Sequence, residues 1–547
     1  AEWLNQAKYP GSTINEAWKR FIYHQFHDDL TGTSIPRAYE FSWNDELISL
    51  KQFSNVLTSS IHGIGRELDT RVSGIPVILY NALGFTVSDI AEIELDLPKA
   101  PKGVTVYDEK GKKVSAQLIS YTDGKARILV EATVPATGYV VYDVRTSGTA
   151  TGDVAPNVNT LENSLYKITL DKNGDIVSLT DKKNGIELVK AGKAIRLALF
   201  TQNKSYNWPA WEVLKETTDR TPVSITDDVK MTLVENGILR KSLCIEKRHG
   251  ESVFRQYIRL YEGSRAERID FYNEVDWQST NALLKAEFPL NIENEKATYD
   301  LGIGSIERGN NIETAYEVYA QYWADLTDRD GSYGVSVMND SKYGWDKPDN
   351  HTIRLTLLHT PETRNGYAYQ DHQDFGHHVF TYSLVPHQGK LDKPGTVETA
   401  EILNQQLKAV RTERQKGNCG KSFSFASSDN RNVLIKALKK AEETDEYVVR
   451  VYETEGRKAQ SATLTFAGEI ISASEANGTE KAIGDATFEG NKLQVNITPY
   501  SVRTYKVRLK PSGREASPIE YAALPLDYDR KCASYNEFRG EGDFESG

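Results

Sequence analysis

PVILYNALGF, residues 76–85, marks the point where the chain changes character. Val77, Ile78, Leu79 and Tyr80 are residues that strands favour, and Asn81 and Gly84 close the run with turn chemistry. Beyond residue 70 the apolar period is two. ARILVEATVP (126–135), YVVYDV (139–144), LYKITL (165–170), YVVRVYE (447–453) and KLQVNITP (492–499) repeat the signature. Lys110-Gly111, Asn173-Gly174, Asn236-Gly237 and Asn477-Gly478 punctuate the chain as hairpin turns. Strands do not alternate with helices of crossover length, so the sheets are expected to be antiparallel sandwiches.

Upstream of that point the period is helical. Ile14, Ala17, Trp18, Phe21 and Ile22 recur at three- and four-residue steps as one apolar stripe, and Gly32 reads as the helix stop. A second helix is expected from Pro36, since a first-turn proline costs nothing, with Leu47, Leu50, Phe53, Leu57, Ile61 and Ile64 as its buried face. AEWLNQAK (1–8) reads as the tail of a preceding helix. So few helices cannot hide their faces on one another, and the unit is expected to pack on something else. The expected fold is mainly β with an N-terminal α-helical segment. TSGTATGDVAPNVN (146–159) and the charged KAVRTERQKGNCGK (408–421) suggest boundaries. They give a helical bundle part over 1–68, a small β-sandwich over 69–150 and a large one over 151–415. Another small sandwich over 416–510 follows, then a polar linker, or the start of a further domain, over 511–547.

A chain of 547 residues exceeds what one core supports. Its 26% charged and 39% apolar residues are ordinary for a globular protein. No stretch approaches the roughly 20 apolar residues that span a bilayer, so no membrane insertion is expected. The net charge of −11, with both signs interspersed, argues against nucleic acid and anionic membrane surfaces as partners. Neutral ligands such as sugars are compatible with it, and self-association into a homo-oligomer is left open. Cys244, Cys419 and Cys532 are odd in number and far apart, which implies neither a disulfide framework nor a metal pair. The sequence opens on Ala1-Glu2-Trp3-Leu4 without a signal-peptide pattern, so any targeting signal was removed or lies upstream. The compartment stays open, with the balance toward periplasmic or secreted.

HQFHDDLTGT (24–33) carries the densest chemistry. On one helix, His24 lies three residues from His27 and four from Asp28, so all three can share a side, and imidazole with carboxylate can ligate a divalent ion. The plain alternative is polar residues at the negative end of a helix. DHQDFGHH (371–378) offers Asp371, His372, Asp374, His377 and His378, either as metal ligands or as a polar loop feeding the strand HVFTYSLV. Trp208, Trp211, Trp277, Trp323 and Trp345 either stack on sugar faces or fill sandwich cores.

AWKRFIYHQFHDDLTGTSI (17–35) resembles the signature of glycoside hydrolase family 38, the α-mannosidases. LYNALGF (79–85), LENSLYKITLDKNGDIVSLTDKKNGIEL (161–188), ALLKAEFPL (282–290), IERG (306–309), YWADL (322–326), YGVSVMND (333–340), YGWD (343–346) and RLTLLHTP (354–361) follow in the family's order. ALPLDYDRKCASYNEFRGEGDF (523–544) is similar to its stretch between later β domains. The resemblance covers nearly the whole chain. It implies that residues 151–415 form a supersandwich like that of galactose mutarotase, and that the helical segment seals a catalytic barrel. His27 would be one ligand of a divalent metal ion, with zinc the best match for imidazole, and Asp28 would contact the sugar's hydroxyls. His24 would support the helix, and Asp29, where the family has an apolar residue, would face solvent.

The family's nucleophilic Asp, its acid/base Asp and its other metal ligands belong to an α/β barrel, and nothing here matches them. The resemblance therefore implies the C-terminal portion of a metal-dependent retaining α-mannosidase, with no catalytic carboxylate in this chain and with mannose-containing oligosaccharides as substrate. Two other readings stand beside it, a non-catalytic carbohydrate-binding β-sandwich protein and a purely structural or oligomerisation module.

Overall fold

The computed structural model describes residues 1–148, 154–364, 367 and 370–515. The chain is mainly β with a helical segment at its start, as the periodicity implies. The ladders between its strands are antiparallel, and hairpins form at all four expected turns. Gly111 and Gly174 take φ of 78° and 70°, the left-handed conformation that tight turns demand.

Strand Ile75–Asn81 pairs with Gly138–Arg145 on one side and with Lys408–Arg411 on the other, setting Ile78 opposite Val141 and Val410. Successive side chains leave a strand on opposite faces, and here both faces are covered. Val77, Leu79, Val140, Tyr142 and Val144 point into a core closed by the sheet of Val87–Asp96, Lys125–Val134 and Ala116–Thr122. Ile78, Tyr139 and Val141 point the other way and meet Leu4, Ile61, Ile64 and Leu68. This is why PVILY and YVVY are apolar without interruption: a strand between two layers has no solvated side.

The helical segment comprises α1 (Gly11–Tyr23), α2 (His27–Leu30) and α3 (Pro36–Gly65), and α3 starts at the expected proline. Its buried face is shorter than expected. Ile61 and Ile64 are buried, whereas Leu50 and Leu57 are exposed. On α1, Ala17 is buried but Trp18, Phe21 and Ile22 are exposed. α1 leans chiefly on α3, with Trp18 edge-on to Phe53 at 5.4 Å, and a broad apolar stripe stays largely outside. Residues 1–8 form turns rather than a helix. Asn5 has φ of 58°, Leu4 is buried in the seam, and Trp3 stacks on Phe423 at 6.3 Å.

A ten-stranded sheet (strands between 155 and 388), a six-stranded sheet (196–360) and a four-stranded sheet (160–187) share one core. Phe254, Phe271, Trp277, Phe288, Trp345 and Tyr382 lie in it. Phe271 sits opposite Tyr382 in register, their rings stacked at 5.0 Å. One group of buried charges in this body is paired: Lys285 donates to Asp346 at 2.8 Å, and Arg354 reaches the same carboxylate at 2.9 Å. Between 426 and 509, four- and five-stranded sheets enclose Val449, Leu464, Val495 and Val507. The stretch 408–421, read as a boundary, opens as strand Lys408–Arg411, which completes the first sheet. Residues 149–153 of the first linker, and 516–547 with Cys532 and the 523–544 motif, lie outside the described residues. No described helix is long and apolar enough to cross a membrane.

Ile64→Ala deletes buried methylenes on one side of the docking sheet only and is expected to cost about 2–5 kcal/mol. Hydrogen exchange should accelerate in α3 while the ten-stranded sheet keeps its protection. Equal acceleration in both would contradict the docking geometry.

Candidate functional site

The histidine–aspartate stretch does not continue α1. That helix ends at Tyr23, Phe26 is extended (φ −56°, ψ 140°), and α2 restarts at His27. The shared helix face expected for His24, His27 and Asp28 therefore does not exist. His24 is buried, with Nδ1 2.5 Å from Asp29 Oδ2 and Nε2 3.2 Å from Asp45 Oδ2. His27 stands in the open, its side chain 71% exposed. Asp29 does not face solvent either. Besides His24, it accepts from Ser42 Oγ, 2.8 Å from each carboxylate oxygen, because a buried imidazole needs a partner that is itself held. Burial pulls the His24 pKa down, but hydrogen bonds to and the charges of Asp29 and Asp45 outweigh it and raise the pKa above its ordinary 6.5.

The backbone of α2 is pinned from α3. Tyr39 Oη donates to the carbonyls of Asp28 (3.0 Å) and Asp29 (3.2 Å) and accepts from the Ser34 amide at 3.0 Å. Gly32, with φ of 78°, reverses the chain, and Thr33 Oγ1 donates to Asp28 Oδ1 at 3.1 Å. The Asp28 side chain stays partly exposed, with Oδ2 3.2 Å from His27 Nε2. One imidazole beside one carboxylate is an incomplete donor set for a tetrahedral ion. Among the described residues no group of three or more His, Cys, Asp or Glu side chains is placed to hold a metal. His27 suits a ligand role only as one member of a set completed from elsewhere.

The 371–378 cluster is divided among separate partners. His377 Nδ1 lies 2.7 Å from Asp276 Oδ1, His378 Nε2 lies 2.6 Å from the Asp374 carbonyl, and His372 pairs with Asp371. Asp374 itself accepts from the His359 amide at 2.7 Å. This arrangement fits the polar-loop reading, and among the described residues the cluster forms no group of three side chains placed to hold a metal. This loop nevertheless meets the helical segment: a cavity of about 430 Å³ separates Thr31, Tyr39 and Trp43 from His359, Gln373 and Asp374. Ala210, from NWPAW, lies on its rim. Trp208 and Trp211 on either side of it are exposed, while Trp277, Trp323 and Trp345 are core.

Sequence reasoning missed Tyr39, Ser42, Trp43 and Asp45. Their one signal is a run of polar and aromatic residues at helical spacing that interrupts the apolar face of α3. It also gave no sign that Thr31, Tyr39 and Trp43 face His359, Gln373 and Asp374.

Because the folded-state pKa of His24 is raised, the stabilisation from its ion pairs is complete below pH 6.5 and is lost as pH rises through the raised value. Hydrogen-exchange protection of α1 and α2 should fall over that interval in the wild type and be flat with pH in His24→Gln. A parallel pH dependence in both proteins would contradict the pairing.

Two family profiles match the chain. One, described as "Glycosyl hydrolases family 38 C-terminal domain", covers residues 161–365. The other, "Glycosyl hydrolases family 38 C-terminal beta sandwich domain", covers 432–505. The chain is 26% identical to Alpha-mannosidase G of Dictyostelium discoideum, over 91% of this chain and 48% of that protein. It is 25% identical to Alpha-mannosidase 2C1 of Mus musculus, over 91% and 46%. The chain thus spans about half the length of these curated relatives. The crystal structure of an alpha-mannosidase from Enterococcus faecalis V583 has the same fold, with a TM-score of 0.74 at 17% identity over 92% of this chain and 64% of that one.

Proposed function

Because this chain belongs to glycoside hydrolase family 38, we propose that it supplies the helical wall and β-sandwich body of a metal-dependent, retaining α-mannosidase acting on terminal α-mannosides of oligosaccharides or glycans. The observation that carries the reading is how His27 and Asp28 are held. A buried ion pair and a tyrosine clamp fix the backbone beneath them, while the imidazole and one carboxylate oxygen stay at the surface.

In this site Asp28 accepts a hydrogen bond from a hydroxyl of the bound mannose, a charge-assisted bond that orients the ring. His27 offers its imidazole as one ligand of a divalent ion, for which zinc is the natural partner. When bound, such an ion supplies Lewis acidity and a template for neighbouring hydroxyls. Asp29 is spent on His24 and Ser42, and Asp45 meets His24, so neither is free for chemistry. Retaining hydrolysis needs a nucleophilic and an acid/base carboxyl group on either side of the scissile bond. With Asp28 engaged by substrate hydroxyls, both would come from residues beyond these 547. The exposed Trp208 and Trp211 favour a second reading, a carbohydrate-binding body without hydrolysis.

With an aryl α-mannoside, the 547-residue chain alone is expected to release no aglycone, whereas a longer protein that includes it hydrolyses the substrate. There, Asp28→Asn should lower kcat/KM about 10- to 100-fold, the loss of one hydrogen bond to a charged group. Turnover by the 547-residue chain alone, or an unchanged kcat/KM in Asp28→Asn, would overturn the proposal.

A further inference from the structure

We propose that the cavity between α3 and the 371–378 loop binds the sugar residue next to the mannose held at Asp28, on the leaving-group side. The inference rests on the reading above. Its ligand class comes from the cavity itself.

The two places are built from one loop. Thr31 walls the cavity, and two residues on Thr33 holds the Asp28 carboxylate at 3.1 Å. A saccharide anchored at Asp28 and extending along that loop enters the cavity directly. The volume of about 430 Å³ lies within the range of small-ligand pockets and accommodates one pyranose ring.

The walls specify a neutral polyol. His359 Nε2 and Gln373 Nε2 are enclosed without hydrogen-bond partners, although buried polar atoms nearly always have them. Two such atoms around one cavity mark where hydroxyl groups would supply the missing bonds. Burial pushes the His359 pKa down to about 4, so near neutrality its imidazole is uncharged, one nitrogen donating and the other accepting. No Lys or Arg is among the described residues lining the cavity, which removes the usual partner of a phosphate or carboxylate ligand. Trp43 and Phe375 add aromatic surface, and the exposed Trp208 and Trp211 beside Ala210 extend it outward. Aromatic faces of this kind pack against the apolar faces of sugar rings.

Saturation-transfer NMR on the 547-residue chain tests this with α-1,2-, α-1,3- and α-1,6-linked mannobiose and with inorganic phosphate. At least one disaccharide should receive saturation, and phosphate should not displace it. Trp43→Ala and Gln373→Leu should each weaken that binding about tenfold, the worth of one ring contact or one hydrogen bond. If Trp43→Ala fails to fold by circular dichroism, Gln373→Leu decides, since it lies in a loop. No saturation of any disaccharide at millimolar concentration, unchanged binding in the folded variants, or displacement by phosphate would overturn the inference. Failure of the mannosidase reading looks different: disaccharide binding sensitive to Trp43 and Gln373, with no hydrolysis by the longer protein.

Discussion

Val77 and Val140 face one hydrophobic core while Ile78 and Val141 face another, and the placement of everything upstream depends on this two-sided burial. The inward set closes the first sandwich. The outward set is the surface on which Leu4, Ile61, Ile64 and Leu68 land. Each fully buried aliphatic side chain there contributes roughly 1.5–3 kcal/mol, enough in sum to fix the C-terminal end of α3 on the sheet. The far end of α3 lacks such support and carries α1 and α2 out from the sheet, with Trp18, Phe21, Leu30 and Leu50 exposed.

A second constraint acts at that far end. His24 is buried where α1 stops, and burial without partners would be costly. Asp29 and Asp45 answer it, one from within α2 and one from α3. The helix breaks between His24 and His27, and beyond the break His27 is exposed and Asp28 partly so. What looks in sequence like one cluster of four ionisable groups is two pairs in different settings: His24 and Asp29 pair with each other where α1 stops, while His27 stands exposed beside a partly exposed Asp28.

The sequence foretold much of this architecture because strand and helix periods are local. Alternation, Asn-Gly turns and a first-turn proline each act over a few residues, and the hairpins and the start of α3 follow from them. Burial on α1 and α3 was read less well, since an apolar stripe does not reveal how much surface its neighbours offer. The site was legible only in part. His27 and Asp28 came from a motif, but the roles of Asp29 and Tyr39 depend on contacts across turns. The cavity joins residues far apart in sequence, Thr31, Tyr39 and Trp43 with His359, Gln373 and Asp374, and no local pattern encodes that meeting.

Metal content tests the assignment of His27 most directly. A longer protein containing this chain, purified and dialysed without chelator, should hold one equivalent of zinc by elemental analysis. His27→Ala should lose it while keeping its circular dichroism and the hydrogen-exchange protection of α3. Zinc retained at one equivalent in a folded His27→Ala protein would contradict the view that these helices form one wall of a metal-dependent sugar site.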